Sequence, residues 1–230
     1  ALPCSAENNY EPDLAELEKA VTPRTKLLIL NSPSNPTGAV YRTSTIEKIA
    51  EIALKHNFMV LSDEIYEKLV YDPEFQHKSI ASVSPEMNEL TITVNGFSKA
   101  YSMPGWRLGY LTAPKWLAQR ISAFQSHVTS NPTSFVQYGG IAALTGPQEP
   151  VEEMRKAFAA RRDLIHSLIS AIPGIKTIRP SGAFYLFFDV ASFGLDSVEF
   201  VNRLLDEEKV AGVPGDAFGA PTCVRVSYAC

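Results

Sequence analysis

Lys26–Gly38 reads KLLILNSPSNPTG. Its first part, Lys26–Leu30, is a short apolar run that stops at Asn31-Ser32-Pro33. Strands buried on both faces of a parallel sheet are continuously apolar rather than alternating, so this run predicts a buried strand feeding a loop. Pro33, Pro36 and Gly38 then crowd into the loop, which is too rich in breakers for regular structure. Two later stretches repeat the arrangement. Phe58–Leu61 is an apolar run that ends in the polar residues SDEIY, and Leu90–Val94 runs into NGFSKAYSMPG and then WRLGYLTA. A helix is predicted between the first two runs, because Ile46, Ile49, Ala50, Ala53 and Leu54 share one helical face. Ser44 with Glu47 three residues later has the spacing of a capping box.

Strand, helix, strand and a further strand after a connector predict an α/β fold with a mostly parallel sheet. Ligands gather at the carboxyl ends of strands in such sheets. Three polar clusters, Asn31–Gly38, Ser62–Tyr66 and Asn95–Lys99, each fall at such an end. Beyond Pro114 the pattern turns helical, in two pieces broken near Asn131-Pro132. A longer helix is predicted from Glu149 to Ile172, with Val151, Met154, Phe158, Ile165, Leu168, Ile169 and Ile172 in a stripe and Pro173-Gly174 as terminator. Strand-like stretches at Phe184–Phe188 and Cys223–Tyr228 then flank a helix near Ser197–Glu208. The division this predicts is a large α/β domain over residues 1–148 and a smaller α+β C-terminal domain over 149–230, entered by the long helix.

Composition narrows the function. In 230 residues, 21 Lys and Arg stand against 25 Asp and Glu, a net charge of −4, with no basic run. That balance argues against an electrostatic nucleic-acid or membrane-surface binder. No apolar stretch reaches the roughly 18 residues of a membrane span. The opening ALPCSAENNYEPD has neither the charged nor the apolar part of a secretory signal. Three cysteines, Cys4, Cys223 and Cys230, are too few and too uneven for a disulfide framework, so a reducing cytoplasm is the expected location. His56, His77, His127 and His166 are scattered without metal-ligand spacing, so no metal site is expected. Neither a Gly-x-Ser-x-Gly elbow nor a Walker or Gly-x-Gly-x-x-Gly loop occurs.

What remains at the strand ends is a lysine, an aspartate, a tyrosine, an asparagine and arginines. Singly, each has an ordinary explanation: Asp63 as a turn cap, Lys99 as a solvated loop residue, Arg107 as the partner of a surface carboxylate. Together, NSPSNPTG, SDEIYE and NGFSKAYSMPGWRLGY, in this order, resemble the pyridoxal-phosphate-dependent class I/II aminotransferases of fold type I. Asp63 and Lys99 are 36 residues apart and Lys99 and Arg107 eight, as in that family's layout.

The resemblance implies that Lys99 forms an imine with the aldehyde of pyridoxal 5'-phosphate and that its amine, once freed, moves a proton. It implies Asp63 at the pyridine nitrogen, where a carboxylate keeps that nitrogen protonated. Tyr66 and Asn35 would face the ring hydroxyl oxygen, and Ser98 and Arg107 the phosphate. Arg225, in CVRVSYA, would grip the substrate α-carboxylate in a bidentate pair, with Asn35 beside it; a solvent-facing strand arginine is its other reading. Phe184 and Tyr185 are equally readable as lining the side-chain pocket or as strand-core aromatics.

The activity implied is transfer of an amino group from an α-amino acid to a 2-oxo acid, by a homodimer. A β-lyase, or an enzyme like aminocyclopropane-carboxylate synthase, would use the same residues. Against the family pattern, the chain is expected to begin part-way through the large domain, without the glycine-rich phosphate turn and the aromatic that stacks on the cofactor. It stops at RVSYAC, and Pro221-Thr222 departs from the glycine-rich spacing expected there. A truncated relative that does not turn over is therefore the non-enzymatic alternative.

Overall fold

In the computed structural model, which describes residues 1–229, the three apolar runs become neighbouring parallel strands. Cys230 lies outside the described residues. β1 (Leu27–Asn31), β2 (Met59–Asp63) and β3 (Thr91–Gly96) pair in register, so that Asn31 stands opposite Asp63 and Asp63 opposite Val94. β4 (Gly109–Thr112) closes the edge antiparallel, with Gly96 opposite Gly109. A Cβ on Gly96 would meet the Gly109 Cα at 3.1 Å, so this close backbone approach favours glycine. The sheet is thus mixed and mostly parallel, as the α/β pattern predicts.

One face of the sheet is covered from the N-terminal side of the chain. α1 (Leu14–Ala20) and α2 (Thr43–His56) pack there, followed by α3 (Pro85–Asn88), whose first turn is capped by Ser84. Ile46, Ile49, Ala50 and Ala53 are buried with Leu17, Leu30, Phe58, Val60, Ile80 and Met87. Two expectations need correction here. The cap position of α2 is Arg42, without a side-chain bond, and Ser44 lies inside the helix, so there is no capping box. The first turn is met by buried Glu11 instead, which accepts a hydrogen bond from Thr45 Oγ1 and pairs with Arg42 at 3.3 Å. β1 is also not buried on both faces: Leu30 packs under α2, but Ile29 is 70% exposed. It is an edge strand that shows its second face, because among the described residues no element covers that face at Ile29.

α4 (Lys115–Val128) and α5 (Ser134–Thr145) follow, with the break falling at Asn131-Pro132 as the sequence predicts. Trp116, Phe124, Phe135, Tyr138 and Ile141 on these helices are exposed.

α6 (Glu149–Ser170) leads to a second sheet. Its strands are β5 (Lys176–Thr177), β6 (Tyr185–Asp189), β7 (Val213–Pro214) and β8 (Cys223–Ser227), antiparallel in the order β5-β6-β8-β7. α7 (Ser197–Glu208) packs on it, with Asp196 accepting the Glu199 N–H as an N-cap. Leu186, Phe188, Val190, Val201 and Val224 form this core. α6 departs from its predicted stripe: Leu168 and Ile172 are exposed, whereas Arg162 is 3% exposed.

The two sheets are joined by main-chain and ionic contacts. Gly182 donates its N–H to the Gly38 carbonyl, Ala183 to Leu69, and Tyr71 to Ser181. A Cβ on Gly38, at φ +70°, would strike Pro180 Cβ at 2.4 Å, which makes this crossing specific to glycine. Arg162 and Arg179 both reach Asp72 just beyond, at 2.9 and 2.8 Å. Among the described residues no helix is long and apolar enough to cross a membrane.

Candidate active site

The three polar clusters meet where β1, β2 and β3 end. Asn31, the last residue of β1, donates from Nδ2 to the Asp63 carbonyl at 3.0 Å and accepts the Asn35 N–H on Oδ1 at 2.8 Å. One amide side chain therefore fixes the NPTG loop against the end of β2. Asp63 follows the pattern of a strand-end carboxylate, accepting the Ile65 N–H at 3.2 Å. Burial pushes the Asp63 carboxyl above the ordinary aspartate range, the Ile65 N–H opposes this, and the charge of neighbouring Glu64 adds to the rise.

Tyr66 is buried, and its hydroxyl shares a hydrogen bond of 2.9 Å with the Tyr185 hydroxyl on β6. Burial first, and then that bond, push the Tyr66 phenol well above its usual range, so it stays protonated at neutral pH. Half-buried Lys99 arrives on the loop after β3, with Nζ 5.3 Å from the Phe184 ring centroid and 5.8 Å from that of Tyr66. The loop is drawn back on itself by the Met103 N–H on the Phe97 carbonyl and the Phe97 N–H on the Leu108 carbonyl.

Arg225 enters from the second sheet. Its Nη1 donates to Asn35 Oδ1 at 2.6 Å across 190 residues of sequence. The guanidinium carbon lies 4.4 Å from the Tyr185 ring centroid and 5.4 Å from that of Phe218. A hydrogen-bonded path thus runs from β1 through Asn31 and Asn35 to Arg225, and ring contacts continue it through Tyr185 and Tyr66 to Lys99.

Five of the residues singled out from sequence, Asn35, Asp63, Tyr66, Lys99 and Arg225, are thereby gathered. Ser98 adjoins Lys99 in the chain and is half-buried. Arg107 is exposed and donates from Nη1 to the Pro104 carbonyl at 2.8 Å. It lines a cavity of about 730 Å³ with Trp106, Gln125, Thr133 and Phe135, between its own turn and the break separating α4 from α5. Among the described residues, no hydrogen bond or ion pair links Arg107 to the other five.

The sequence alone does not single out Asn31, although it opens the NSPSNPTG motif. Tyr185 reads there only as a pocket wall or core aromatic, whereas it contacts both Tyr66 and Arg225. Nor does any pattern mark Glu64, which is 3% exposed. Glu64 accepts Ser62 Oγ at 2.9 Å and Ser79 Oγ at 2.7 Å, and lies 3.0 Å from His77 Nε2. Burial acts to raise its carboxyl, but the bonds from His77 and Ser79 outweigh this and hold it below the ordinary glutamate range. His77 is therefore a partnered histidine, and its ring nitrogen, Glu64 and Glu67 have ligand-type atoms within 4.8 Å of one another, a proximity that the scatter of histidines in the sequence does not show.

Comparison with known proteins shows the family of the chain. The family model described as aminotransferase class I and II matches residues 1–230. The chain is 49% identical over 228 residues to an aspartate aminotransferase of Geobacillus stearothermophilus, covering 97% of this chain and 58% of that protein. It is 44% identical over 232 residues to aromatic-amino-acid aminotransferase 2 of Thermococcus litoralis, covering 99% of this chain and 59% of the relative. Among solved structures, the aromatic aminotransferase of Pyrococcus horikoshii superposes with a TM-score of 0.95 at 43% identity, over 100% of this chain and 62% of that one. The Thermus thermophilus aspartate aminotransferase with maleate gives 0.92 at 42% identity, over 99% and 58%. The chain thus spans about three fifths of the length of the relatives it matches.

Proposed function

The chain belongs to the class I and II aminotransferases and has the fold of their solved structures, and on that premise we propose that it carries the lysine and both flanking binding groups of a pyridoxal-phosphate-dependent transfer of an amino group from an α-amino acid to a 2-oxo acid. The observation that carries the reading is the convergence of Asp63 at the end of β2, Tyr66 in the turn after it, Lys99 in the loop after β3 and Arg225 on β8 on one strand-end region.

The donor set fits the cofactor. Asp63 is a partly buried carboxylate that the bonds around it leave short of positive charge, as a residue facing a protonated ring nitrogen would be. Tyr66 supplies a protonated hydroxyl and Asn35 an amide for the ring oxygen. Ser98 and Arg107 offer a hydroxyl and a guanidinium for phosphate, and Arg107 has all but one of its donors uncommitted to the protein among the described residues. Pyridoxal phosphate, when bound, supplies an aldehyde for the amino group and a ring that accepts the electron pair left at the substrate Cα.

The chain's own residues do the rest. Lys99 Nζ would hold the cofactor through its aldehyde and, when free, would serve as the base and acid for the proton at the substrate Cα. Asp63 would hold the ring nitrogen in its positive form. Tyr66, kept protonated by burial and by its bond to Tyr185, would donate rather than carry charge. Arg225 takes the α-carboxylate of either substrate with the donors not used on Asn35. Because Arg225 stands on the second sheet and Lys99 after the first, a substrate that bridges them ties the two together and excludes water.

The division at Glu149 belongs to the same proposal, supported by the start of α6 there and the self-contained core of the second sheet. So do a homodimer and a cytoplasmic location, the former supported by the exposed aromatic and aliphatic side chains of α4 and α5. The test is product analysis with aspartate as donor. Formation of glutamate and oxaloacetate when 2-oxoglutarate is present supports transfer; pyruvate, ammonia and methanethiol released from S-methylcysteine without an acceptor would mean elimination instead.

A further inference from the structure

Phe218 is 38% exposed and lies beside the Arg225 guanidinium. It sits at the end of a short turn, Gly215–Phe218, that closes onto β8. The turn is firmly built. Ala220 donates its N–H to the Gly215 carbonyl at 2.9 Å, Gly219 to Asp216 at 3.0 Å, and Cys223 to Ala220 at 2.9 Å. A Cβ on Gly215 would lie 2.3 Å from the Ala220 carbonyl oxygen and 2.4 Å from that of Cys223, so no larger residue fits. The far side is pinned to the start of α7 by the Asp216 N–H on Ser197 Oγ at 3.3 Å, and Ser197 is fully buried. The ring presented by this turn has two neighbours of note: Phe187, edge-on at 6.2 Å, and the Arg225 guanidinium at 5.4 Å.

We propose that Phe218 is a positioning residue for Arg225: with Tyr185 it forms an aromatic cradle that holds the guanidinium in the orientation that meets a substrate α-carboxylate. The inference rests on the carboxylate-binding role given to Arg225 above. A long arginine loses rotamer freedom when it is ordered, and prior ordering by ring contact removes that cost from the binding step. Tyr185 cannot be varied for this purpose alone, since it also bonds Tyr66; the ring contacts of Phe218 among the described residues are with Phe187 and Arg225.

Both substrates carry the α-carboxylate, so loss of the cradle weakens both equally and leaves the proton transfers alone. In the holoenzyme, Phe218→Ala is expected to raise KM for aspartate and for 2-oxoglutarate by the same factor, about two- to five-fold for a partly exposed cation–π contact, with kcat within two-fold. Phe218→Tyr should restore both KM values. Propylamine, which has no carboxylate, should react at the wild-type rate with Phe218→Ala. An unchanged KM, or an equal loss of rate with propylamine, would overturn the positioning role. Arg225→Ala separates the two readings. If Arg225→Ala raises KM strongly while Phe218→Ala does not, only the cradle fails. If Arg225→Ala leaves KM unchanged, the carboxylate role fails and the cradle with it. Equal thermal midpoints of wild type and Phe218→Ala exclude a general loosening of the fold as the cause.

Discussion

Replacing Asp72 by alanine would strand a buried charge at the junction of the two sheets. The Arg162 side chain is 3% exposed and the Asp72 side chain 10%. Arg162 Nη1 donates to both Asp72 oxygens, at 2.9 and 3.0 Å, and Arg179 Nη1 adds a third bond at 2.8 Å. Breaking a buried pair by removing one partner costs about 3–5 kcal/mol, because the remaining charge is left without compensation in a poorly polarisable site. Arg162 keeps the Pro180 carbonyl at 3.1 Å and Asp163 at 3.0 Å, which places the expected loss near the lower end, about 3 kcal/mol. Against a total stability on the order of 5–15 kcal/mol, that is a large fraction. Urea unfolding followed by circular dichroism reads it directly, as a midpoint lowered by about 1 M or more with an unchanged slope. Arg203→Ala, which breaks an exposed i,i+4 pair with Glu207, is the control and should cost less than about 1 kcal/mol. The double variant Asp72→Leu with Arg162→Met should recover most of the loss. A cost for Asp72→Ala no larger than that of the control would refute the idea that this network holds the sheets together.

Three further outcomes follow from the same contacts. Tyr66→Phe leaves the buried Tyr185 hydroxyl without its partner and should cost about 1 kcal/mol in unfolding, with a weaker hold on added pyridoxal phosphate measured by equilibrium titration. Glu64 has a depressed carboxyl in the folded chain, so its contribution is full above the ordinary glutamate pKa and is lost as pH falls through the folded value; unfolding free energy should fall on acidification, and Glu64→Gln should flatten that fall. Gly215→Ala should destabilise the chain by more than about 1 kcal/mol, because its Cβ meets two carbonyl oxygens, and should raise KM as Phe218→Ala does.

Where local pattern and tertiary environment agree, the sequence is enough to place an element. The helix over Ser197–Glu208 is found at its predicted bounds, with an aspartate cap before it and buried Val201 within it. The strand ends carrying Asn31, Asp63 and Asn95 are likewise placed by apolar runs that stop at polar residues. The misreadings are those in which a distant partner decides. Ser44 has the spacing of a cap, but Glu11 docks the first turn and shifts the helix start to Thr43. The apolar Lys26–Leu30 run gives no sign of which face will be covered, and Ile29 faces outward. Arg162 interrupts an apolar stripe, and the periodicity of α6 alone cannot show that Asp72, 90 residues earlier, takes it into the interior. In the site, Lys99, Asp63, Tyr66, Asn35 and Arg225 are singled out only through the resemblance that three motifs carry together, and the structure brings them to one strand-end region. Asn31, Tyr185 and Phe218 act through those residues, and only the folded geometry shows what they touch.

Lys99 is expected to bind pyridoxal phosphate covalently within the site bounded by Asp63, Tyr66 and Arg225. The most direct measurement is the visible absorbance of the purified protein with added pyridoxal phosphate, beside Lys99→Ala. A band in the wild type that borohydride fixes on Lys99, that is missing in Lys99→Ala and that bleaches when aspartate is added would be the predicted result. An identical spectrum in the two proteins, or a label fixed on another lysine, would contradict it.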